Sequence, residues 1–212
     1  MVAQITDDDG KMGAMTALNF DRTRTAVLVM DFQQGVVNRM AGEDADRLLE
    51  TLSRAIAAAR GAGVMVAFVR IGFRPGAPEI SANNRTFAAI ADTGAGFGLD
   101  DEATQIHPVV APQPSDPVVI KKRVSAFAGS DLELLLRSRQ IDTLVLAGIA
   151  TSGVVLSTLR EAADRDYRLM VLSDCCFDLD VEVHRVLMDK VFPKQAEVLT
   201  VEELQGSLGG AS

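Results

Sequence analysis

Six short runs of almost wholly apolar residues recur along the chain: TAVLVMD at 25–31, VMVAFVRI at 64–71, PVVIK at 117–121, TLVLAG at 143–148, YRLMVLSD at 167–174 and AEVLT at 196–200. A strand that is apolar throughout has no solvent face. It must be covered on both sides, as in parallel sheets sandwiched between helices. Between the runs the apolar spacing changes to that of a helix. Ala45, Leu48, Leu49, Leu52, Ala55, Ile56 and Ala59 form one stripe, which Gly61 or Gly63 can end. A short helix is expected around 84–91, and Ser130-Asp-Leu-Glu133 reads as a capping box opening a leucine-rich helix. Further helices are expected over 152–165 and 180–192. This alternation predicts an α/β fold, a doubly wound three-layer sandwich around a six-stranded parallel sheet, with the expected order 3-2-1-4-5-6. Such sheets bind ligands beyond the carboxyl ends of their strands, where the winding reverses. In that order the crevice is lined by Asp31 and by residues 148–155.

The 212 residues suffice for one domain with a full core. Residues 1–24 are expected to be an irregular lead-in, 25–205 the single domain and 206–212 a flexible tail. The formal net charge of -8 argues against nucleic acid or an anionic membrane surface as partner. No basic start followed by an apolar run marks a signal peptide, and no segment approaches the ~18 apolar residues of a membrane span. The adjacent Cys175 and Cys176 build no disulfide framework. A cytoplasmic location is therefore expected.

Few residues offer chemistry. Asp31 ends a buried strand at the crevice, where desolvation raises a carboxyl pKa toward proton transfer; a loop or helix cap explains it equally well. Lys121 closes VVIK, where a buried ammonium needs a carboxylate partner; a charged strand exit is the plainer explanation. GIATSGVV at 148–155 supplies backbone instead of side chains. With Ser152 as helix cap, the N–H groups of Gly153, Val154 and Val155 stand free at the positive end of the helix, suited to a carboxylate or an oxyanion. An ordinary turn between strand and helix is the alternative. Arg74, Asn84 and Arg85 lie in the polar middle segment and are candidates for recognising an anionic substrate. His107 and His184 lack metal-ligand spacing, which favours surface or structural roles, and the two cysteines read as buried, unreactive thiols.

VLVMDFQQ, VVIKKRVSAF and LVLAGIATSGVV, with the following STLREAADRDYRLMVLSDCC, together resemble the isochorismatase-like hydrolases, the cysteine hydrolase superfamily. Order and spacing hold from about residue 20 to 200. The resemblance aligns the family's D-x-Q with Asp31 and Gln33, its lysine with Lys121 and its S-A-F with Ser125–Phe127. Many members hydrolyse amide C–N bonds with an Asp, a Lys and a Cys. Carried over, the resemblance implies a cis bond at Ile149–Ala150, oxyanion donors at the N–H groups of Ala150 and Val154, and Gln33, Arg74, Asn84, Arg85 and Phe127 at the substrate. The family cysteine follows the strand-ending glycine by six residues, and here that position is Val154. Isochorismatases proper also lack the thiol, carry glycine there and use Asp as a general acid, but their G-x-Y-A-H turn is absent. The nicotinamidase metal set is missing from 70–90, so neither metal nor cofactor is implied.

The leading expectation is a hydrolase of a small polar or anionic metabolite. Asp31 is its acid or base, Lys121 its electrostatic partner, and Val154 stands at the place of the nucleophile. The alternative is a non-catalytic binding protein holding a metabolite in the old site. A third moves the nucleophile to Cys175 or Cys176. Relatives commonly assemble, so a homo-oligomer, dimer or tetramer, is expected, with 72–100 as contact surface.

Overall fold

The computed structural model describes residues 20–92 and 97–209. In chain order the elements are β1 (Thr25–Met30), α1 (Gln34–Met40), α2 (Ala45–Gly61), β2 (Met65–Ile71), α3 (Arg85–Asp92), β3 (Val118–Lys121), α4 (Leu132–Ser138), β4 (Thr143–Ile149), α5 (Leu156–Ala163), β5 (Arg168–Phe177), α6 (Val181–Val186), β6 (Glu197–Leu199) and α7 (Val201–Gly209). All strand pairs are parallel, and the sheet order is β3-β2-β1-β4-β5-β6, as expected. The winding reverses between β1 and β4, whose residues are buried throughout.

Alternation along β1 divides the core. Val27 and Val29 face the layer built by α2 and α7, whereas Ala26, Leu28 and Met30 face the layer of α4 and α5. The stripe Leu48, Leu49, Leu52, Ala55, Ile56 and Ala59 is the buried face of α2. Truncating a residue such as the fully buried Leu52 to Ala would cost about 2–5 kcal/mol.

Three local expectations need correction. The capping box at 130–133 does not form, because α4 begins at Leu132 and leaves Glu133 only its second residue. Ser130 Oγ instead accepts from the Leu132 N–H at 3.2 Å, and Glu133 pairs with Arg137 at 2.8 Å. A reciprocal cap does form at Thr200 and Glu203: the Thr200 N–H donates to the Glu203 carboxylate at 2.7 Å, and the Glu203 N–H donates to Thr200 Oγ1 at 3.3 Å. It opens α7, which runs to Gly209 with Leu204 and Leu208 buried, through four residues of the expected flexible tail. Residues 210–212 and most of the lead-in lie outside the described residues. Finally, β5 continues to Phe177 past a register shift against Leu146 and Gly148, so both cysteines lie inside the strand. The short helix α1 is new; only Val37 among its seven residues is buried, too weak a pattern to read.

Candidate active site

At the carboxyl end of β1 the Asp31 N–H still donates to the Val69 carbonyl of β2, at 2.8 Å. The backbone then turns left-handed at Asp31, with φ 60°, a conformation Asp tolerates better than most residues. Lys121, the last residue of β3, lies two positions beyond Val119 and so shares its face, the one packed by α4 and α5. Its side chain, 2% exposed, reaches past β2 to place Nζ 2.9 Å from Asp31 Oδ2. Nζ also donates to the carbonyls of Arg123 at 3.1 Å and Val124 at 3.0 Å, so each ammonium proton has an acceptor.

The other Asp31 oxygen, Oδ1, is buried and has no hydrogen-bond partner among the described residues. Burial pushes the Asp31 carboxyl above its ordinary range, and the Lys121 charge opposes that rise. A desolvated carboxylate with one oxygen anchored and one unengaged is suited to exchanging a proton.

Across the switch point, β4 passes into the turn through a cis peptide bond between Ile149 and Ala150, as the resemblance implies. Ser152 does not cap a helix. Thr151–Val155 instead wrap as one wide turn that leads into α5. The N–H groups of Gly153 and Val155 both donate to the Ala150 carbonyl, at 3.1 and 3.3 Å, and that of Ser152 donates to Asp178 Oδ2 at 2.7 Å. The expected row of three free amides is therefore not present, since two of them close the turn on Ala150. Three of the four amides from Ser152 to Val155 are engaged by these bonds, and the fourth belongs to Val154.

Gly148 brings this turn against β1. A Cβ there would lie 3.0 Å from Val155 Cγ2, 3.1 Å from Val154 Cγ1 and 3.2 Å from the Met30 carbonyl oxygen. The buried Val154 side chain therefore stands beside the residue that precedes Asp31. Behind the turn, Thr151 is fully buried and its Oγ1 lies 2.8 Å from His184 Nδ1 of α6. His184 and Asp178 also line a cleft of about 300 Å³ between the start of α2 and the end of β5. Burial lowers the His184 pKa, against the charges of Asp178 and Asp189. Neither contact is written in the spacing of the sequence, and of the surface or structural roles expected for His184 the bond to Thr151 is a structural one.

The other candidate residues are placed less directly. The buried Gln33 amide bonds the N–H and carbonyl of Ile71, both at 2.9 Å, and the Thr104 carbonyl at 2.8 Å. It braces the end of β2 instead of facing a ligand. Phe127 is buried, its ring 6.0 Å from that of Tyr167, just before β5 begins, and so it packs toward the amino edge of the sheet. Asn84 Oδ1 accepts the Phe87 N–H at 3.2 Å and caps α3. Arg85 is exposed in the first turn of that helix. Arg74 pairs with Glu79 at 2.8 Å on the wall of a second cleft, of about 580 Å³, with Phe73, Ile80, Phe97 and Leu99. These residues do not converge on Asp31 as one substrate-binding set.

Both thiols are buried. Burial pushes Cys175 far up and Cys176 up to about 12, which disfavours the thiolate form that attack requires. Among the described residues no three His, Cys, Asp or Glu side chains are grouped to hold a metal ion, and no helix is long and apolar enough to cross a membrane.

A doubly wound α/β protein with a buried carboxylate–ammonium pair at its switch point is the class these features define. The chain belongs to the isochorismatase family: the Isochorismatase domain matches residues 25–203. It is 32% identical over 193 residues to the uncharacterized isochorismatase family protein YecD of Escherichia coli O157:H7, covering 90% of this chain and 100% of that one. It is also 32% identical over 193 residues to ureidoacrylate amidohydrolase RutB of Methylorubrum extorquens, covering 79% and 78%. Its fold is like that of a cysteine hydrolase from Pseudomonas syringae pv. phaseolicola, with a TM-score of 0.83, 24% identity and coverage of 95% and 100%.

Proposed function

We propose that the chain hydrolyses a small polar or anionic metabolite in the cytoplasm by acid–base chemistry at Asp31, without a thiol nucleophile. The observation that carries this reading is the unpartnered, buried Oδ1 of Asp31, held in place through Lys121 at Oδ2. Placing a charged pair in the interior is expensive, and packing alone gives no return for leaving one oxygen unsatisfied. Asp31 takes a proton from the attacking water or delivers one to the leaving atom. Lys121 anchors its carboxylate throughout. The amides of Ala150 and Val154 receive the oxygen that becomes negative; the Val154 N–H is the one that the turn's bonds to Ala150 and Asp178 leave over. The resemblance places Val154 where other members carry the nucleophilic cysteine. RutB, an amidohydrolase by name, makes an amide or ureido compound the first substrate class to try. Arg85, together with Arg74 beside its ion pair with Glu79, is the exposed cation of the middle segment proposed for an anionic substrate group.

A binding protein without turnover is the second reading. It is favoured by the buried, β-branched Val154, which fills space beside Gly148, near the end of β1, where a glycine would leave more room. Native mass spectrometry of the protein in a metabolite extract separates the two. Product formation that disappears in Asp31→Asn and Lys121→Met supports the hydrolase. Capture of an intact compound with no conversion over hours supports the binder. Turnover of the identified substrate that survives both substitutions removes Asp31 from the mechanism.

A further inference from the structure

We infer that His184 and Asp178 are positioning residues for the 150–155 turn, holding from behind the backbone that carries the proposed oxyanion donors. The purpose rests on the function proposed above; the geometry does not. Thr151 and Ser152 are consecutive, and each is anchored once: the Thr151 hydroxyl to His184 Nδ1 at 2.8 Å, and the Ser152 N–H to Asp178 Oδ2 at 2.7 Å.

Both anchors belong to one short, internally tied unit. Asp178 Oδ1 accepts the Asp180 N–H at 3.3 Å, and Asp180 Oδ1 caps α6 by accepting from Glu182 at 3.0 Å and Val183 at 3.1 Å. The His184 N–H closes the unit on the Asp180 carbonyl at 2.9 Å. Thr151 and Ser152 are therefore held by a single rigid corner between β5 and α6.

The turn itself is irregular. The Ala150 carbonyl accepts from both Gly153 and Val155, the Leu156 N–H reaches back to Thr151 and Gly153, and wide turns of this kind concentrate at functional sites. Gly153, next in the chain, adds no side chain to restrict it. The direction of the following Val154 amide thus depends on where Thr151 and Ser152 are fixed. His184 and Asp178 bond Thr151 and Ser152 of the turn, so they act through the backbone. Around the imidazole the charged groups are Asp178 and Asp189, and burial keeps the ring neutral near neutral pH, with a single hydrogen bond to Thr151.

Amide hydrogen exchange of the full chain tests this without a substrate. His184→Ala should speed exchange across 150–156 by roughly tenfold, the loss of one buried hydrogen bond, while β1 and α2 keep their rates. His184→Asn, whose side-chain amide occupies the place of Nδ1, should restore the slow rates. Should His184→Ala not fold, Asp178→Ala, which removes the acceptor, gives the same local readout through Ser152. Unchanged exchange at 150–156 overturns the inference. So does an equal rise in β1 and α2, which is mere loss of stability, and so does failure of His184→Asn to restore protection. The outcomes are separable from those for the proposed function. If exchange behaves as expected while Asp31→Asn keeps turnover, the mechanism falls and the positioning role stands.

Discussion

At the residue scale the decisive pair is Asp31 and Lys121, and its cost has a sign. The folded-state pKa of Asp31 lies above its ordinary value of 3.8, so burial favours the neutral acid. The stability this contributes is present below the unfolded pKa and is lost as pH rises through the folded pKa. Lys121 offsets the loss by pulling that pKa down. Lys121→Met removes the offset and leaves an unpaired carboxylate. Chemical denaturation should show a loss of about 3–5 kcal/mol at pH 8 that shrinks as pH falls and vanishes below the ordinary value of 3.8, where Asp31 is protonated in both states. A loss independent of pH would mean that Lys121 contributes only packing. Asp31 and Lys121 were both legible as strand-ending charges in apolar runs. Their distance was not, because the whole of β2 and a long middle segment lie between them in sequence, and only the β3-β2-β1 arrangement lets the lysine reach the acid.

At the element scale the 148–155 turn depends on close approach. Gly148→Ala puts a methyl 3.2 Å from the Met30 carbonyl, a backbone atom that cannot yield by rotation, and against both Val154 and Val155. The expected cost is about 1–3 kcal/mol, read as a lower Tm, with the turnover of any identified substrate falling further than Gly206→Ala in α7, where the new methyl meets nothing. Equal effects of the two substitutions would show that the approach at Gly148 is not needed. Strand and helix periods announced where this turn lies, and the Gly/Ser/Thr composition announced that it is a turn. Its wide closure on Ala150 and its anchoring by Asp178 and His184 were not readable, since they arise from contacts across 26 and 33 residues. The same limit hid α7. GSLGG reads as a frayed end, yet Leu204 and Leu208 find a buried face in the α2 layer once the chain has returned there.

At the scale of the whole molecule, one exposed apolar pair bears on the expected assembly. Leu179 and Val181 stand 65% and 77% exposed at the carboxyl edge of the sheet, next to the corner that holds the turn. Large exposed apolar residues grouped in this way favour a contact between copies over a free surface. We therefore expect light scattering to give a dimer or tetramer, and Leu179→Asp with Val181→Asp to shift it toward monomer. An unshifted oligomer would move the interface elsewhere, with the 72–100 segment as the next candidate.

The amino-acid sequence by itself determined the layers and their order. Continuous apolar runs and stripes of period 3.6 are local properties, and few ways exist to bury them together. It also named the carboxylate, the ammonium and the turn that has valine at residue 154. Only the tertiary structure decided what those groups do to one another: that Oδ2 of Asp31 is tied to Lys121 while Oδ1 is left unpaired, that Gln33 and Phe127 are framework, and that His184 reaches Thr151. Burial and hydrogen bonding between distant segments are set by how the chain packs, and no spacing along it encodes them.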